Sequence, residues 1–299
     1  MFEMEPIVKI AQLSKNFGKT VALKEVSFEV YPGEVVGFIG PNCAGKSTTI
    51  RIMLGLLKKS GGTVTLFGKN AWQDSLAIHE SIAYVPGDLA LWENLTGGQT
   101  IDLLMKLHGK GNQAKKEELV QKFQLDLSKK VKSYSKGNRQ KVALIAALAV
   151  DCELYILDEP TSGLDPLMES VFQDEVARLK AERKAVLLSS HILSEVERLA
   201  DRVVIIQEGR VVESGTLEQL RHLTRSTVHL ALKENIAALA NLSFIHDWTQ
   251  TAQNQATFSI DYQALDDLLK ELSRYQVQKL EILPPTLEEL FMRHYQVEK

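Results

Sequence analysis

The chain has 299 residues, 44% hydrophobic and 24% charged, with a formal net charge of -3. That length exceeds what one compact core usually takes, so a large domain with a smaller companion is expected. The charge leaves no basic footprint for nucleic acid, and the longest apolar run, Val142 to Val150, is under half of the ~20 residues a membrane span needs. Met1 to Pro6 carries neither a basic start nor an apolar stretch, so no secretory signal is expected. Two cysteines, Cys43 and Cys152, suit reduced thiols better than a disulfide framework.

Alternation predicts strands over Ile7 to Leu13 and Val26 to Val30, closed by the turn Tyr31-Pro32-Gly33. Glu34 to Ile39 reads as a buried strand that enters a glycine-bearing loop at Gly40, and a helix follows from Lys46 to Leu57. Val64 to Phe67 and Ile82 to Val85 predict further short strands, and Leu95 to Val150 turns helical. Strands return at Leu154 to Leu157, Ala185 to Ser189 and Val203 to Gln207, with helices between them. This alternation predicts an α/β fold, a mostly parallel sheet covered on both faces. After Leu223 the pattern changes to strand, short helix from Asn235, strand, turn at Thr251 to Asn254, strand, helix over Leu265 to Leu272, strand over Val277 to Leu283 and a final helix. That order predicts a small α+β domain of split βαβ type.

Gly40-Pro41-Asn42-Cys43-Ala44-Gly45-Lys46-Ser47 matches the phosphate-binding loop G-x-x-x-x-G-K-[ST], set between a strand and a helix as the motif requires. Successive backbone N–H groups and a helix N-terminus form a nest for phosphates. Lys46 adds a charge there, and the Ser47 hydroxyl can ligate Mg²⁺. The whole run from Gly40 to Ser47, with Thr48 beside it, is the candidate nucleotide site; a chance glycine turn is the plain alternative. Leu154 to Leu157 ends in Asp158-Glu159. At the carboxyl edge of a sheet, Asp158 can hold Mg²⁺ and Glu159 can take a proton from an attacking water. Alone, such a pair is usually a solvated helix start. Followed by Pro160-Thr161-Ser162-Gly163-Leu164-Asp165 and preceded by a phosphate loop, it points to ATP chemistry.

From Ile7 to Gly215 the chain resembles the nucleotide-binding subunit of an ABC transporter. The resemblance implies a P-loop NTPase core with an antiparallel β subdomain, an inserted helical subdomain and a signature of the form Leu-Ser-Gly-Gly-Gln. The matching stretch is Tyr134-Ser135-Lys136-Gly137-Asn138, in which Ser135 and Gly137 would serve the γ-phosphate at a helix N-terminus, while Lys136 and Asn138 depart from the pattern but remain polar, Asn138 staying a candidate nucleotide-binding residue. By itself that stretch could be any helix cap. Ser189-Ser190-His191 resembles the switch histidine of the family, Asp165 closes the loop that crosses to a second subunit, and Phe17 aligns with the aromatic that stacks adenine. Where the family usually has a glutamine after Tyr-x-Pro, Tyr84-Val85-Pro86 is followed by Gly87-Asp88. Gly87 cannot reach the ion or the water as that glutamine does, and Asp88 replaces it in part.

These features imply a nucleotide-binding domain over 7–222, with a helical subdomain at about 88–150, and an accessory α+β domain over 223–299. One copy of each motif per chain implies a head-to-tail pair of ATP-binding subunits using ATP and Mg²⁺ on the cytoplasmic face of a membrane, beneath a separate permease. Gly87, the Ser-Lys-Gly-Asn signature and Pro284-Pro285-Thr286 to Phe291 together resemble the ATPases of bacterial drug and antibiotic exporters. A soluble ABC-type ATPase working on nucleic acid or ribosomes is the rival; it usually carries two cassettes or a long coiled coil, and the sequence has neither. A kinase with the same phosphate loop is disfavoured by the signature stretch. Cys43, inside the phosphate loop, is expected to be the more reactive thiol.

Overall fold

The computed structural model describes residues 5–222, 225–283 and Glu288. It divides into two compact units, Met1–Ser214 and Gly215–Lys299.

In the first unit, β1 (Val8–Phe17) and β2 (Thr20–Val30) pair antiparallel, with Val8, Ile10, Leu13, Leu23, Val26 and Phe28 turned into the core. The first strand outruns its expected end at Leu13. A register shift between Ile10 and Leu13, with Gln12 at φ 51, bulges the chain and masks the alternation beyond it. Next, β3 (Val35–Ile39) is buried along its whole length and leads into α1 (Lys46–Met53). This helix stops short of Leu57 because Gly55 turns the chain at φ 66 against the Ala71 backbone, where a Cβ would lie 2.6 Å from the carbonyl oxygen. Then β4 (Gly61–Leu66) and β5 (Lys69–Asn70) complete an antiparallel sheet of order β2-β1-β4-β5.

After α2 (Ser75–His79) and β6 (Ile82–Val85) come α3 (Gly97–His108), α4 (Gln113–Lys122) and α5 (Lys136–Leu148). The start of α3 is fixed by a reciprocal cap between Thr96 and Gln99, and its end by Gly109 at φ 80. The chain then alternates through β7 (Leu154–Asp158), α6 (Pro166–Ala181), β8 (Ala185–Ser190), α7 (Leu193–Leu199), β9 (Arg202–Gln207) and β10 (Arg210–Thr216). Among the described residues the larger sheet has the order β10-β9-β3-β8-β7-β6, parallel from β9 through β6. The early strand β3 is inserted between the late strands β9 and β8, so β3, β8 and β7 end side by side.

A buried carboxylate ties the inserted helices to this core. Glu175 of α6 is 1% exposed and takes Lys115 at 3.1 Å and Lys122 at 2.7 Å from α4, with Arg178 at 2.9 Å.

In the second unit, α8 (Leu217–His222) is followed by β11 (Arg225–Leu232), β12 (Ile245–Ala252), β13 (Gln255–Asp261), α9 (Leu265–Leu272) and β14 (Val277–Leu283). The strands form an antiparallel sheet of order β12-β13-β11-β14, the split βαβ arrangement with its last strand beside its first. Val228, Leu230, Leu232, Phe258 and Ile260 share a core with Leu268 and Leu272 of α9. The helix expected from Asn235 is a single 3₁₀ turn, Ala237–Asn241, because only five residues lie between the buried Ile236 and the extended Leu242. Of the expected final helix only Glu288 is among the described residues, and it is helical.

Burial raises the proton affinity of Glu175, but hydrogen bonds from Lys122, Arg178 and Lys115 outweigh it and hold the carboxyl below its ordinary value. A depressed folded-state pKa contributes stability above the unfolded value and loses it as pH falls through the folded one. Glu175→Gln should therefore lower Tm at neutral pH, and its deficit against the unaltered chain should shrink below the ordinary pKa of 4.5. Thermal melts across that range check this; a deficit of constant size would show that the charge is not what binds the helices.

Candidate active site

The carboxyl ends of β3, β7 and β8 open onto a cavity of about 490 Å³. The phosphate loop forms its floor. Gly40 opens the loop with no room for a side chain, since a Cβ there would meet the Ile206 carbonyl oxygen at 2.3 Å. Gly45 sits at φ 114 and would press a Cβ to 2.6 Å from Leu23, so Gly40 answers close approach and Gly45 answers close approach and backbone conformation at once. Ala44 is buried behind the loop, where its carbonyl accepts from Gly209 N–H at 3.0 Å. Pro41, Asn42, Cys43, Lys46, Ser47 and Thr48 line the cavity itself. The Lys46 ammonium is only 6% exposed and donates to the carbonyls of Gly40 at 2.5 Å and Pro41 at 3.3 Å.

Asp158 and Glu159 diverge at the end of β7. Asp158 is buried and accepts from the Ser189 hydroxyl of the neighbouring strand. Glu159 adopts φ 49, a left-handed conformation that a non-glycine residue holds at a cost of about 1–3 kcal/mol. Its N–H is fixed by the Ser189 carbonyl at 3.0 Å. Glu159 Oε2 lies 2.6 Å from His191 Nδ1, while Oε1 lies 3.7 Å from Lys46 Nζ. Lys46, Glu159 and His191 thus form one contact chain across three loops.

Of the oxygens on the cavity wall, Ser47 offers a divalent cation a hydroxyl and Asp158 a carboxylate. No group of three or more His, Cys, Asp or Glu side chains among the described residues is arranged to hold a metal. A sparse set of hard oxygens fits Mg²⁺, which takes one or two carboxylates and fills its other positions with phosphate oxygens and water.

Phe17, Ser135, Gly137, Asn138 and Asp165 do not line the cavity. Ser135 caps α5 by accepting from Asn138 N–H at 3.3 Å, and Asp165 caps α6 by accepting from Met168 N–H at 3.0 Å. Gly137 lies against Gly163, where a Cβ would be 2.3 Å from the carbonyl oxygen. Phe17 is 49% exposed at the end of β1, beneath the Lys15 ammonium at 4.8 Å. Gly87 and Asp88 line the cavity, and a Cβ on Gly87 would touch Asp158 at an ordinary 3.5 Å. Lys136 reaches the cavity rim by donating to Ser162 Oγ at 2.6 Å; its departure from the signature pattern was the signal, although spacing alone does not say how far a lysine extends. Tyr84 also lines the wall, and burial, with the nearby Asp158 charge, pushes its hydroxyl up to about 12.

The family model described as ABC transporter matches residues 23–162. An uncharacterized ABC transporter ATP-binding protein of Methanocaldococcus jannaschii is 37% identical, over 73% of this chain and 80% of its own. The chain belongs to the ABC transporter ATP-binding family. It is also 30% identical to the bacitracin transport ATP-binding protein BcrA of Enterococcus faecalis, over 92% of this chain and 91% of that one. A solved ATP-binding subunit of an ABC transporter is 34% identical, with a TM-score of 0.68 over 73% of this chain and 92% of that one. A second model, for the C-terminal domain of DrrA1-3-like ATP-binding proteins, matches residues 215–295. The protein is accordingly an ABC-type ATPase. Among the described residues no helix is long and apolar enough to cross a membrane.

The two cysteines of this ABC subunit differ sharply. Cys43 is exposed on the phosphate loop, whereas Cys152 is buried, and burial pushes its thiol up to about 12. Since the thiolate is the nucleophile, brief maleimide treatment followed by mass spectrometry should label Cys43 first, and Mg-ATP should protect it. Equal labelling of Cys43 with and without Mg-ATP would place the nucleotide elsewhere.

Proposed function

We propose that this ABC ATPase drives export through a separate membrane permease, working as a head-to-tail pair with ATP and Mg²⁺ bound between two chains. The observation that carries the reading is Glu159 held between Lys46 and His191 above the phosphate loop. In this reading the N–H groups of residues 41–48 cradle the phosphates and Lys46 leaves its two carbonyls to neutralise them. Ser47 and Asp158 would hold Mg²⁺, which when bound would supply positive charge beside the phosphates. Glu159 accepts the proton of the attacking water, and His191 orients that carboxylate and faces the γ-phosphate. Phe17 stacks the adenine.

Ser135, Gly137 and Asn138 lie outside their own chain's cavity and would serve the site of a second copy, with the Ser162 to Asp165 loop crossing between the two. One chain has one of each part, so two complete sites need two chains. Residues 7–222 would form the nucleotide-binding domain, with the helical subdomain at about 88–150, and 223–299 an accessory domain.

A second hollow of about 250 Å³ supports the permease reading. It is lined by Tyr84, Leu89, Leu91, Trp92, Leu104 and Ala143, among others, and Trp92 is exposed there. Such an apolar groove suits an amphipathic helix of a membrane subunit. Its wall shares Tyr84 and Pro86 with the ATP cavity, which gives a short path between nucleotide and permease. The protein would then sit at the cytoplasmic face of the membrane. Likeness to a bacitracin transport protein over 92% of the chain favours a drug or antibiotic as cargo.

Lys46→Ala should remove nearly all ATP turnover by the purified protein; unimpaired turnover would overturn the site. Glu159→Gln should bind Mg-ATP yet hydrolyse it about 10²–10⁴-fold more slowly, and elute as an ATP-dependent dimer in size-exclusion chromatography. A monomer at every nucleotide concentration would contradict the two-chain site.

A further inference from the structure

Glu195 is a buried carboxylate that the mechanism above does not use. It lies in the first turn of α7, 6% exposed, one turn beyond the switch histidine. Its Oε2 atom accepts from Thr161 Oγ1 at 2.9 Å and from Ser190 Oγ at 3.2 Å. Ser190 Oγ in turn accepts from Ile192 N–H at 2.9 Å, which closes the backbone turn that carries His191. Thr161 belongs to the turn that begins at Glu159, where Ser162 N–H donates to the Glu159 carbonyl at 3.2 Å and Leu164 N–H to the Thr161 carbonyl at 2.9 Å. A single carboxylate oxygen therefore joins the two loops whose side chains meet at the Glu159–His191 contact.

Burying a carboxylate without a cation is costly, and two hydroxyl donors offset it only in part. Burial, reinforced by the charges of Glu169 and Glu159, raises the pKa of Glu195 against the pull of those hydrogen bonds. Packing alone gives no reason for an acid here. His191 is more than half exposed, and Glu159 is held in a strained conformation. Something rigid must set their spacing.

We infer that Glu195 is a positioning residue for ATP hydrolysis, clamping the Ser190–His191 turn to the Thr161 turn so that His191 meets Glu159. The inference rests on the roles given to Glu159 and His191 above. The acceptor is what matters, and a glutamine oxygen accepts from the same two hydroxyls. Glu195→Ala frees both turns, lowering the chemical step while the phosphate loop still binds nucleotide.

The test is steady-state hydrolysis of Mg-ATP by the full chain and three variants, with Tm measured alongside. Misplacement of this kind can cost on the order of 10²-fold, so E195A should lose about 10- to 100-fold in kcat with KM for ATP changed less than about threefold. E195Q should stay within about threefold of the unaltered kcat, since the hydrogen bonds survive. Retained kcat in E195A, a loss carried by KM, or E195Q as slow as E195A would each overturn the inference. Should E195A fail to fold, the combined variant T161V/S190A decides the matter: a kcat loss at unchanged KM supports the clamp, and unaltered kcat overturns it. Lys46→Ala run in parallel separates the two readings, because turnover that survives it contradicts the site itself and not the clamp.

Discussion

Five parallel strands buried on both faces can place charged groups only at their ends, and the strand order decides which ends meet. Because β3 lies between β9 and β8, and β8 between β3 and β7, the phosphate loop, the Ser189–His191 turn and the Asp158–Glu159 pair emerge together. Each strand alone would present a short polar turn to water. Side by side, they enclose a cavity in which Asp158 takes its hydrogen bond from β8 and Glu159 takes its backbone anchor from the same residue, Ser189.

That arrangement leaves Lys46 buried and dependent on its surroundings. Two carbonyls and a carboxylate 3.7 Å away hold the ammonium. Phosphate oxygens can replace them with full charges, which makes the resting contacts a preorganised and exchangeable set. The remainder of the molecule supports this edge. Glu175 fixes the inserted helices, and with them the Ser135–Gly137 turn, while the Lys136–Ser162 hydrogen bond and the close Gly137–Gly163 approach bring that turn against the loop after Glu159.

Much of this was legible in the residues. The phosphate loop, the strand ending in Asp158 and the placement of His191 depend on short contiguous patterns, and the structure brings them to one cavity. Longer-range features were not. The bulge at Gln12 hid the second half of β1, and β10 carries only one buried residue, so it gave no apolar pattern to read. Phe17 could be aligned but not positioned, and its exposure follows from a hairpin whose length the alternation understated. Glu195 was invisible for a simpler reason. An acid in a helical stretch reads as solvated, and only packing reveals that two hydroxyls from distant turns converge on it.

If the working site is built from two chains, specific ATPase activity must depend on how concentrated the protein is. The most direct measurement is turnover per chain of the purified, unaltered protein over a wide dilution series at saturating Mg-ATP, with sedimentation velocity at the same concentrations. The account predicts that turnover per chain falls on dilution in step with loss of the dimer. Constant turnover per chain from a protein that sediments as a monomer throughout would contradict it.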